Sequence, residues 1–200
     1  MKLRYNYRIY PTNQQKADLA QLFGCCRVVW NDALAWVMQT PEDVQWPSNA
    51  ELQNLCITLA KDYPERSWLS DVSNIPLQQS IADLGVAFNN FFEKRAKFPA
   101  FKKRSHQQSA RFRRGGFSLV KNKVYLSKVG NLKVKWSRPL PSEPSSVTVI
   151  KDNCNRYHLS FVCEAQPVAP APVRESMGID LGLKTFAVLS TGEKVSSPGY

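Results

Sequence analysis

The stretch FSLVKNKVYLSKVGNLKVKW, residues 117–136, decides the fold class, because apolar and polar residues alternate along it with a period of two. That period is typical of strands with one buried face. It predicts strands at 117–120, 123–126 and 132–136. The alternation returns twice further on, at 146–151 and 157–163, and Gly or Asn pairs punctuate the series at Gly115-Gly116, Gly130-Asn131 and Asp152-Asn153. Five short consecutive strands with turn residues between them predict an antiparallel sheet.

The first residues of the chain predict another strand, followed by a pair of helices. Residues 3–10 again alternate with period two, and Pro11 ends the pattern. Thr12 followed by Gln15 has the form of a capping box, and helical apolar spacing leads to Gly24, a typical C-terminal stop. A second amphipathic helix is expected at about 25–39. Together, residues 13–39 resemble a helix-turn-helix in outline.

Two more helices are expected before the strands begin. One covers about 50–62, with Pro64 as its limit, and the other runs from about Pro76 to Lys97 with apolar residues at spacings of three and four. Helices followed by a run of antiparallel strands define an α+β fold.

The C-terminal part of the chain is expected to form a separate unit. Three prolines fall within 166–173, which is typical of an extended linker. Residues 177–182 (MGIDLG) then predict a buried strand, with a hairpin partner at 185–189. Two strands cannot bury a core of their own, so we expect the sequence to stop inside a domain that begins at about 174.

Positive charge is concentrated in one segment of the chain. The net charge is +11, but residues 91–140 alone carry +14, with Glu93 as their one acid, and the remainder carries −3. A dense basic tract in a near-neutral protein is typical of a polyanion site, and nucleic acid is the leading partner. The alternative is a solvated basic face whose phenylalanines, Phe98, Phe101 and Phe112, belong to the core.

Composition excludes several other classes of protein. No apolar run is long enough for a membrane span, and the first residues lack the apolar stretch of a signal peptide, so a cytoplasmic location is expected. The five cysteines are odd in number and form no C-x-x-C pair, which argues against a disulfide framework and against a zinc ribbon. We expect reduced, mostly buried thiols.

The candidate nucleic-acid-binding residues are the cations of this tract and of the adjoining strands. Lys121, Lys123, Lys133 and Lys135 alternate along the strands and are expected on one sheet face, suited to tracking a phosphate backbone. The full set is Arg8, Lys94, Arg95, Lys97, Lys102, Lys103, Arg104, Arg111, Arg113, Arg114, Lys121, Lys123, Lys133 and Lys135.

Asp180 is the candidate catalytic and metal-binding residue. A carboxylate between Ile179 and Leu181 in an apolar strand is costly unless it is paired, hydrogen-bonded or bound to metal. It could be one ligand of a divalent-metal site for phosphodiester hydrolysis. The same strand with D-x-G also opens the phosphate-binding lobe of sugar-kinase and actin-like ATPases, and turn amides at Gly182 and Leu183 could satisfy the acid instead.

Four motifs in a fixed order give the sequence a family resemblance. YRIYPT (7–12), FGCCRVVWN (23–31), FPAFKK (98–103) and GIDLGLK (178–184) together resemble the OrfB (TnpB) family of insertion-sequence transposase-associated proteins. The resemblance implies a wedge-like small antiparallel β-barrel formed by residues 1–10 and 97–165, a helical recognition insert at 11–96, and the first strands of an RNase H-like RuvC nuclease domain at 174–200.

The resemblance also implies an activity and partners. Members of the family are RNA-guided DNA endonucleases that use Mg²⁺ and take part in transposition and recombination, with a guide-type RNA from the element end and target DNA as partners. Asp180 matches the first of three catalytic carboxylates. The other two and the family's zinc ribbon have no counterpart here, so we expect a protein that binds nucleic acid and does not cleave alone. The alternatives are a stand-alone helix-turn-helix regulator of its own element and a fragment without a stable fold.

Overall fold

The computed structural model describes residues 1–41, 43–166, 176–183 and 185–197. The chain divides into two compact units, Met1–Ala165 and Gln166–Tyr200. The predicted linker at 166–173 lies outside the described residues except for Gln166. Within the described part of the chain, no helix combines the length and the apolarity that crossing a membrane requires.

The first unit begins with strand β1 (Lys2–Ile9) and helix α1 (Asn13–Gln39). The capping box is confirmed, since Thr12 and Gln15 exchange side-chain and backbone hydrogen bonds. The predicted break at Gly24 is wrong, because α1 is one unbroken helix of 27 residues that includes Gly24. Cys25 and Cys26 are both buried, so α1 is covered on more than one side. That burial outweighs the cost of about 1 kcal/mol that a glycine adds to a helix interior.

The chain between α1 and the next long helix is helical but irregular. Helix α2 (Asn49–Gln53) has a Ser48 capping box and passes into a π-helical turn at Asn54–Thr58 and 3₁₀ turns at Leu59–Asp62 and Pro64–Asp71. The predicted helix at 50–62 is therefore regular only in its first turn. The Asn49 side chain packs so closely on Gly85 that a Cβ there would lie 2.9 Å from its amide atoms.

Helix α3 (Asn74–Phe92) ends five residues before the predicted limit at Lys97. The Arg95 amide donates to the Asn90 carbonyl at 2.8 Å, and the Lys94 amide donates to the Phe91 carbonyl at 2.9 Å. This is a Schellman termination with Lys94, at φ 58°, in the left-handed position that glycine usually takes. Lys94, Arg95 and Lys97 therefore lie beyond the helix, not in its last turn.

Seven antiparallel strands complete the unit. They are β1, β2 (Gln108–Arg113), β3 (Phe117–Val120), β4 (Lys123–Leu126), β5 (Gly130–Lys135), β6 (Ser146–Lys151) and β7 (Tyr157–Glu164), in the sheet order β2-β6-β7-β1-β5-β4-β3. The five predicted strands and β1 are confirmed, and β2 is an addition. The sheet is curled but open, with β2 and β3 at its edges, so the expected barrel is a half-barrel in the described residues.

One side of this sheet forms the core of the unit. Tyr7, Trp136 and Phe161 pack together there, with ring centroids 4.8 Å apart between Tyr7 and Trp136 and 5.8 Å apart between Tyr7 and Phe161. Phe112 is fully buried on the same side, opposite Val147 of the neighbouring strand. The polar residues of each strand alternate onto the other side.

The second unit is a three-stranded antiparallel sheet of β8 (Ile179–Leu181), β9 (Thr185–Leu189) and β10 (Lys194–Ser196), in the order β10-β9-β8. The predicted hairpin is confirmed, and the residues after it add a third strand. The expected burial of the first strand is wrong, since Ile179 is 62% and Leu181 is 70% exposed. These three strands supply too few buried side chains to cover it.

Candidate nucleic-acid interface

The basic sheet face is the polar side of the seven-stranded sheet. Strand register decides its membership, because directly opposed residues and residues two apart share a face. Arg8 of β1 lies opposite Lys135 of β5, and Lys133 lies opposite Lys123 of β4. Arg113 and Arg111 extend the same side across β2. The basic sheet face therefore carries Lys2, Arg4, Arg8, Arg111, Arg113, Lys123, Lys133 and Lys135, and register places one acid of the strands there, Glu164 opposite Lys2.

Lys121 does not join this face as the sequence predicts. It lies in the β3–β4 turn with a left-handed φ of 50°, outside the strands. His158, opposite Arg8, adds a neutral side chain, because burial first and the charge of Arg8 second lower the pKa of its imidazole.

The register of the basic sheet face opposes like charges on neighbouring strands. Lys123 faces Lys133, and Arg8 faces Lys135. Like charges directly opposite each other destabilise a sheet, by a few tenths of a kcal/mol or more per pair. A negatively charged ligand would relieve this repulsion, so the surface is suited to binding a polyanion.

Changing Lys123→Glu is expected to stabilise the sheet and to weaken nucleic-acid binding at the same time. The new carboxylate would face Lys133 and replace repulsion by attraction, worth about 0.2–1 kcal/mol. It would also remove one cation from the face. Denaturant unfolding and a binding titration on the same preparation check both effects. Lys123→Gln, which removes charge without adding any, should give intermediate values, and a loss of both stability and affinity would contradict the prediction.

A loop at 98–107 holds a second group of predicted cations against α1. The indole Nε1 of Trp30 donates to the Ala100 carbonyl at 3.1 Å. The Asn31 side chain pairs with the backbone of Lys102, donating to its carbonyl at 3.1 Å and accepting from its amide at 2.8 Å. These three bonds form the loop clamp, which joins two of the motifs recognised in the sequence.

The loop clamp fixes the direction of the Lys102 side chain. The residue is exposed along part of its length, but its Nζ lies 3.7 Å from the centroid of the Trp30 ring, a cation–π contact. Burial of that ammonium lowers the pKa of Lys102. Lys103 and Arg104 follow it as exposed cations on the same loop.

Other predicted cations are already engaged within the protein. Arg111 forms an ion pair with Asp83 of α3, and Arg95 forms one with Glu93. The Arg114 guanidinium lies 3.5 Å from the Glu143 carboxylate. Such pairs at exposed positions contribute little to stability, and a phosphate could compete for Arg95 and Arg114 more readily than for the half-buried Arg111.

Aromatic rings surround the end of α3, next to Lys94 and Lys97. Trp46, Phe88, Phe91, Phe92 and Phe98 form a closed cluster with centroid separations of 5.2–5.6 Å. Phe92 is 60% exposed. Of the phenylalanines named from the sequence, Phe112 belongs to the core, whereas Phe98 and Phe101 present accessible rings.

Asp180 belongs to the second unit. It is exposed and lies opposite Val188 in the register of β8 and β9. Among the described residues, no three His, Cys, Asp or Glu side chains cluster where they could hold a metal ion. Divalent cations take several oxygen ligands, so these residues do not fit a complete Mg²⁺ site.

The sequence did not single out all the residues that form these surfaces. Arg4 was missed on the basic sheet face, and Arg27 was missed beside the loop. Arg4 lies four residues before Arg8, which is two strand periods, and this spacing was a signal that both share one face. No sequence signal indicated the second, because α1 and the loop meet only through tertiary packing.

The fold and these surfaces define a basic α+β protein with cations clustered on one face of its sheet. A family model described as the helix-turn-helix domain of OrfB from IS605 matches residues 1–39, which here form β1 and the single helix α1. A protein of Streptomyces pristinaespiralis named as a candidate RNA-guided DNA endonuclease is 39% identical over 210 residues, covering 100% of this chain and 51% of its own length.

Two further relatives match. The candidate RNA-guided DNA endonuclease InsQ of Escherichia coli K12 is 31% identical, over 94% of this chain and 47% of its own length. The virulence protein VsdF of Salmonella dublin is 30% identical, over 48% of this chain and 88% of its own length. The chain spans about half the length of the two endonuclease relatives. It belongs to the OrfB (TnpB) family of insertion-sequence proteins.

Proposed function

We propose that this chain is the nucleic-acid-binding part of an RNA-guided DNA endonuclease that acts in transposition and recombination of an insertion sequence. Its partners are a guide-type RNA from the element end and target DNA. The basic sheet face carries the proposal, because the strand register opposes Lys123 to Lys133 and Arg8 to Lys135, and a polyanion would supply the negative charge that these pairs lack. The names of the two longer relatives support the choice of partners.

RNA is the preferred direct ligand of the basic sheet face. An A-form helix is recognised mainly through its shape, its phosphates and its 2′-hydroxyls, and a broad sheet surface of lysines and arginines suits that kind of contact. Reading the bases of duplex DNA usually needs an element that enters the major groove.

A second candidate is a regulator that reads duplex DNA with residues 13–39. The helix-turn-helix description of the matching family model favours it. A reading helix requires two helices set at an angle, however, and α1 runs unbroken over these residues. Preference for an operator duplex over RNA would support the regulator.

We propose that Asp180 is one acid of the nuclease site and that 174–200 begins an RNase H-like domain. The antiparallel order β10-β9-β8, with Asp180 on the first strand, supports this placement. Mg²⁺ is the cofactor that phosphodiester hydrolysis in such a site requires, and the described residues supply too few ligands for it. We therefore derive no catalytic step from this chain.

The purified chain is expected to bind element-end RNA more tightly than a matched DNA duplex, with an affinity that falls steeply as salt rises. Each phosphate contact contributes about 0.7–0.9 to the slope of log affinity against log salt. Fluorescence anisotropy at several salt concentrations measures both quantities. A flat salt response for both ligands would contradict the proposed function.

The same mixtures, supplemented with Mg²⁺ and analysed for products, test the incomplete site. We expect no cleavage by the chain alone and the same RNA affinity for Asp180→Ala. Cleavage that Asp180→Ala abolishes would show that the missing acids come from another polypeptide or a second copy. Cleavage that persists in Asp180→Ala would remove Asp180 from the nuclease site.

A further inference from the structure

A groove of about 210 Å³ lies between α1 and the segment that leads into β2. Arg27 and Cys26 line it from the helix, and Lys102, Lys103 and His106 line it from the loop. The loop clamp forms one end of this arrangement, since it fixes the backbone of Lys102 on α1. The groove is smaller than the pockets of roughly 300–1,000 Å³ that hold drug-sized ligands, so a small group fits it.

Within the described part of the chain, the cations of this groove form no ion pairs, and Asp83 acts on the charge of Lys102 only from a greater distance. Among the described residues, no carboxylate lies within 4.0 Å of Arg27, Lys102 or Lys103, whereas five arginines elsewhere form ion pairs. The groove also gains no negative charge from its thiol, because burial raises the pKa of Cys26 to about 12 and keeps it protonated at neutral pH. An excess of positive charge around a partly enclosed space favours an anion.

Hydrogen bonds hold the walls of the groove in place before any ligand arrives. The Arg27 Nη1 donates to Oε1 of Gln108 at 3.1 Å. The Gln108 amide nitrogen in turn donates to the carbonyls of Arg104 at 3.0 Å and His106 at 2.5 Å. Gln108 therefore orients both the guanidinium and the loop, and preorganised donors bind an anion at lower entropic cost.

We infer that this groove is a pocket for a single phosphate group of the bound nucleic-acid strand, with Arg27 as its principal donor. The inference rests on the proposed function and deepens it, since it separates one specific phosphate contact from the general attraction of the basic sheet face. A guanidinium offers paired donors to two phosphate oxygens, and the ammonium groups of Lys102 and Lys103 add charge from the opposite wall. Arg27 lies outside the basic tract, so charge density alone does not explain its place here.

Replacement of single phosphates tests the pocket. A bound RNA is prepared as a series in which one backbone phosphate at a time becomes an uncharged methylphosphonate, and each member is titrated against the unmodified protein, Arg27→Gln and Lys16→Gln. Lys16 is an exposed cation on the same helix, so Lys16→Gln removes the same charge without touching the groove.

We expect one position in the series to weaken binding to the unmodified protein by on the order of tenfold, as for a charged hydrogen bond. Arg27→Gln should bind the unmodified RNA about equally weakly and should lose its sensitivity at that position alone. Lys16→Gln should retain it. Equal losses for Arg27→Gln and Lys16→Gln, with no position singled out, would overturn the pocket while leaving the proposed function intact.

A second pair of ligands identifies the source of the phosphate. If a strand end occupies the groove, RNA with a 5′-phosphate should bind more tightly than the same RNA with a 5′-hydroxyl, and Arg27→Gln should abolish the difference. If a backbone phosphate occupies it, the two RNAs should bind alike and the methylphosphonate series alone should respond.

Arg27→Lys, which keeps the charge and loses the paired donors, should recover part of the affinity at an unchanged unfolding temperature. Full loss in Arg27→Lys with a lowered unfolding temperature would instead assign Arg27 a structural role.

Absence of any RNA binding by the unmodified chain would defeat the proposed function, and the pocket with it. The two failures are therefore distinguishable.

Discussion

Phe112→Ala should destabilise the first unit by about 3–5 kcal/mol, the usual cost of deleting a buried phenylalanine ring. Phe112 is fully buried on β2, opposite Val147 of β6, so removal of its ring would leave a cavity in the core. Since the total stability of a domain is about 5–15 kcal/mol, the variant should unfold at a much lower denaturant concentration. Urea unfolding followed by circular dichroism measures the shift.

Phe101→Ala is the matched control. Phe101 is 44% exposed on the loop that the clamp holds, so its removal should change the free energy of unfolding by less than about 1 kcal/mol. The two substitutions remove the same ring from the same basic tract, and only the burial differs. Similar stability losses in both variants would place the two rings in one core, contrary to the structure.

Reversing Lys133 and Lys135 together should lower RNA affinity by on the order of 100-fold near physiological salt and reduce the salt slope by about 2. Both lysines are exposed on β5, and each faces a cation on a neighbouring strand. In Lys133→Glu/Lys135→Glu, two phosphate contacts are lost and two repulsive charges appear. Opposed Glu–Lys and Glu–Arg pairs should keep the sheet folded.

The control for this variant is Lys16→Glu/Lys128→Glu. It changes the net charge by the same amount at exposed positions away from the basic sheet face, with Lys128 in the β4–β5 turn near Asp18 and Asp71. We expect a loss of only a few-fold from the changed overall charge. An equal effect of the two double variants would mean that net charge, and no particular surface, governs binding.

The strands were predictable because each has one buried face and therefore a visible period of two. β6 and β7 have the predicted limits to within one residue. β2 was missed although Ala110 and Phe112 alternate there with Arg111 and Arg113, because the density of basic residues masked the alternation. This one strand serves two purposes, since its apolar residues join the core and its basic residues join the basic sheet face.

The helix limits were harder to predict because packing and backbone geometry decide them. Gly24 has the right-handed conformation and stays inside α1, where buried neighbours hold it. Lys94, in contrast, ends α3, because it adopts a left-handed conformation that costs roughly 1–2 kcal/mol for a residue other than glycine. A sequence pattern that assigns glycine to helix ends and lysine to helix interiors misplaces both limits.

The candidate site was predictable in composition more than in arrangement. The alternation of Lys121, Lys123, Lys133 and Lys135 predicted a shared face; strand register brings Lys123, Lys133 and Lys135 together, whereas Lys121 lies in a turn. Which cations are already paired, and which converge on the groove, depends on contacts between distant parts of the chain, such as Arg111 with Asp83. No local pattern contains that information.

The loop clamp also has a consequence for the order in which the molecule acquires its shape. Trp30 and Asn31 bond to residues 70 and 71 positions further along the chain. Contacts of such long sequence separation carry a large closure entropy and tend to form late in folding. A chain that has formed its helices but has not closed this contact would present Lys102 and its neighbours on a free segment. A nucleic-acid strand would therefore bind in the groove only after the chain has completed its folding. The bound nucleic acid would in turn stabilise the folded chain relative to partly folded copies.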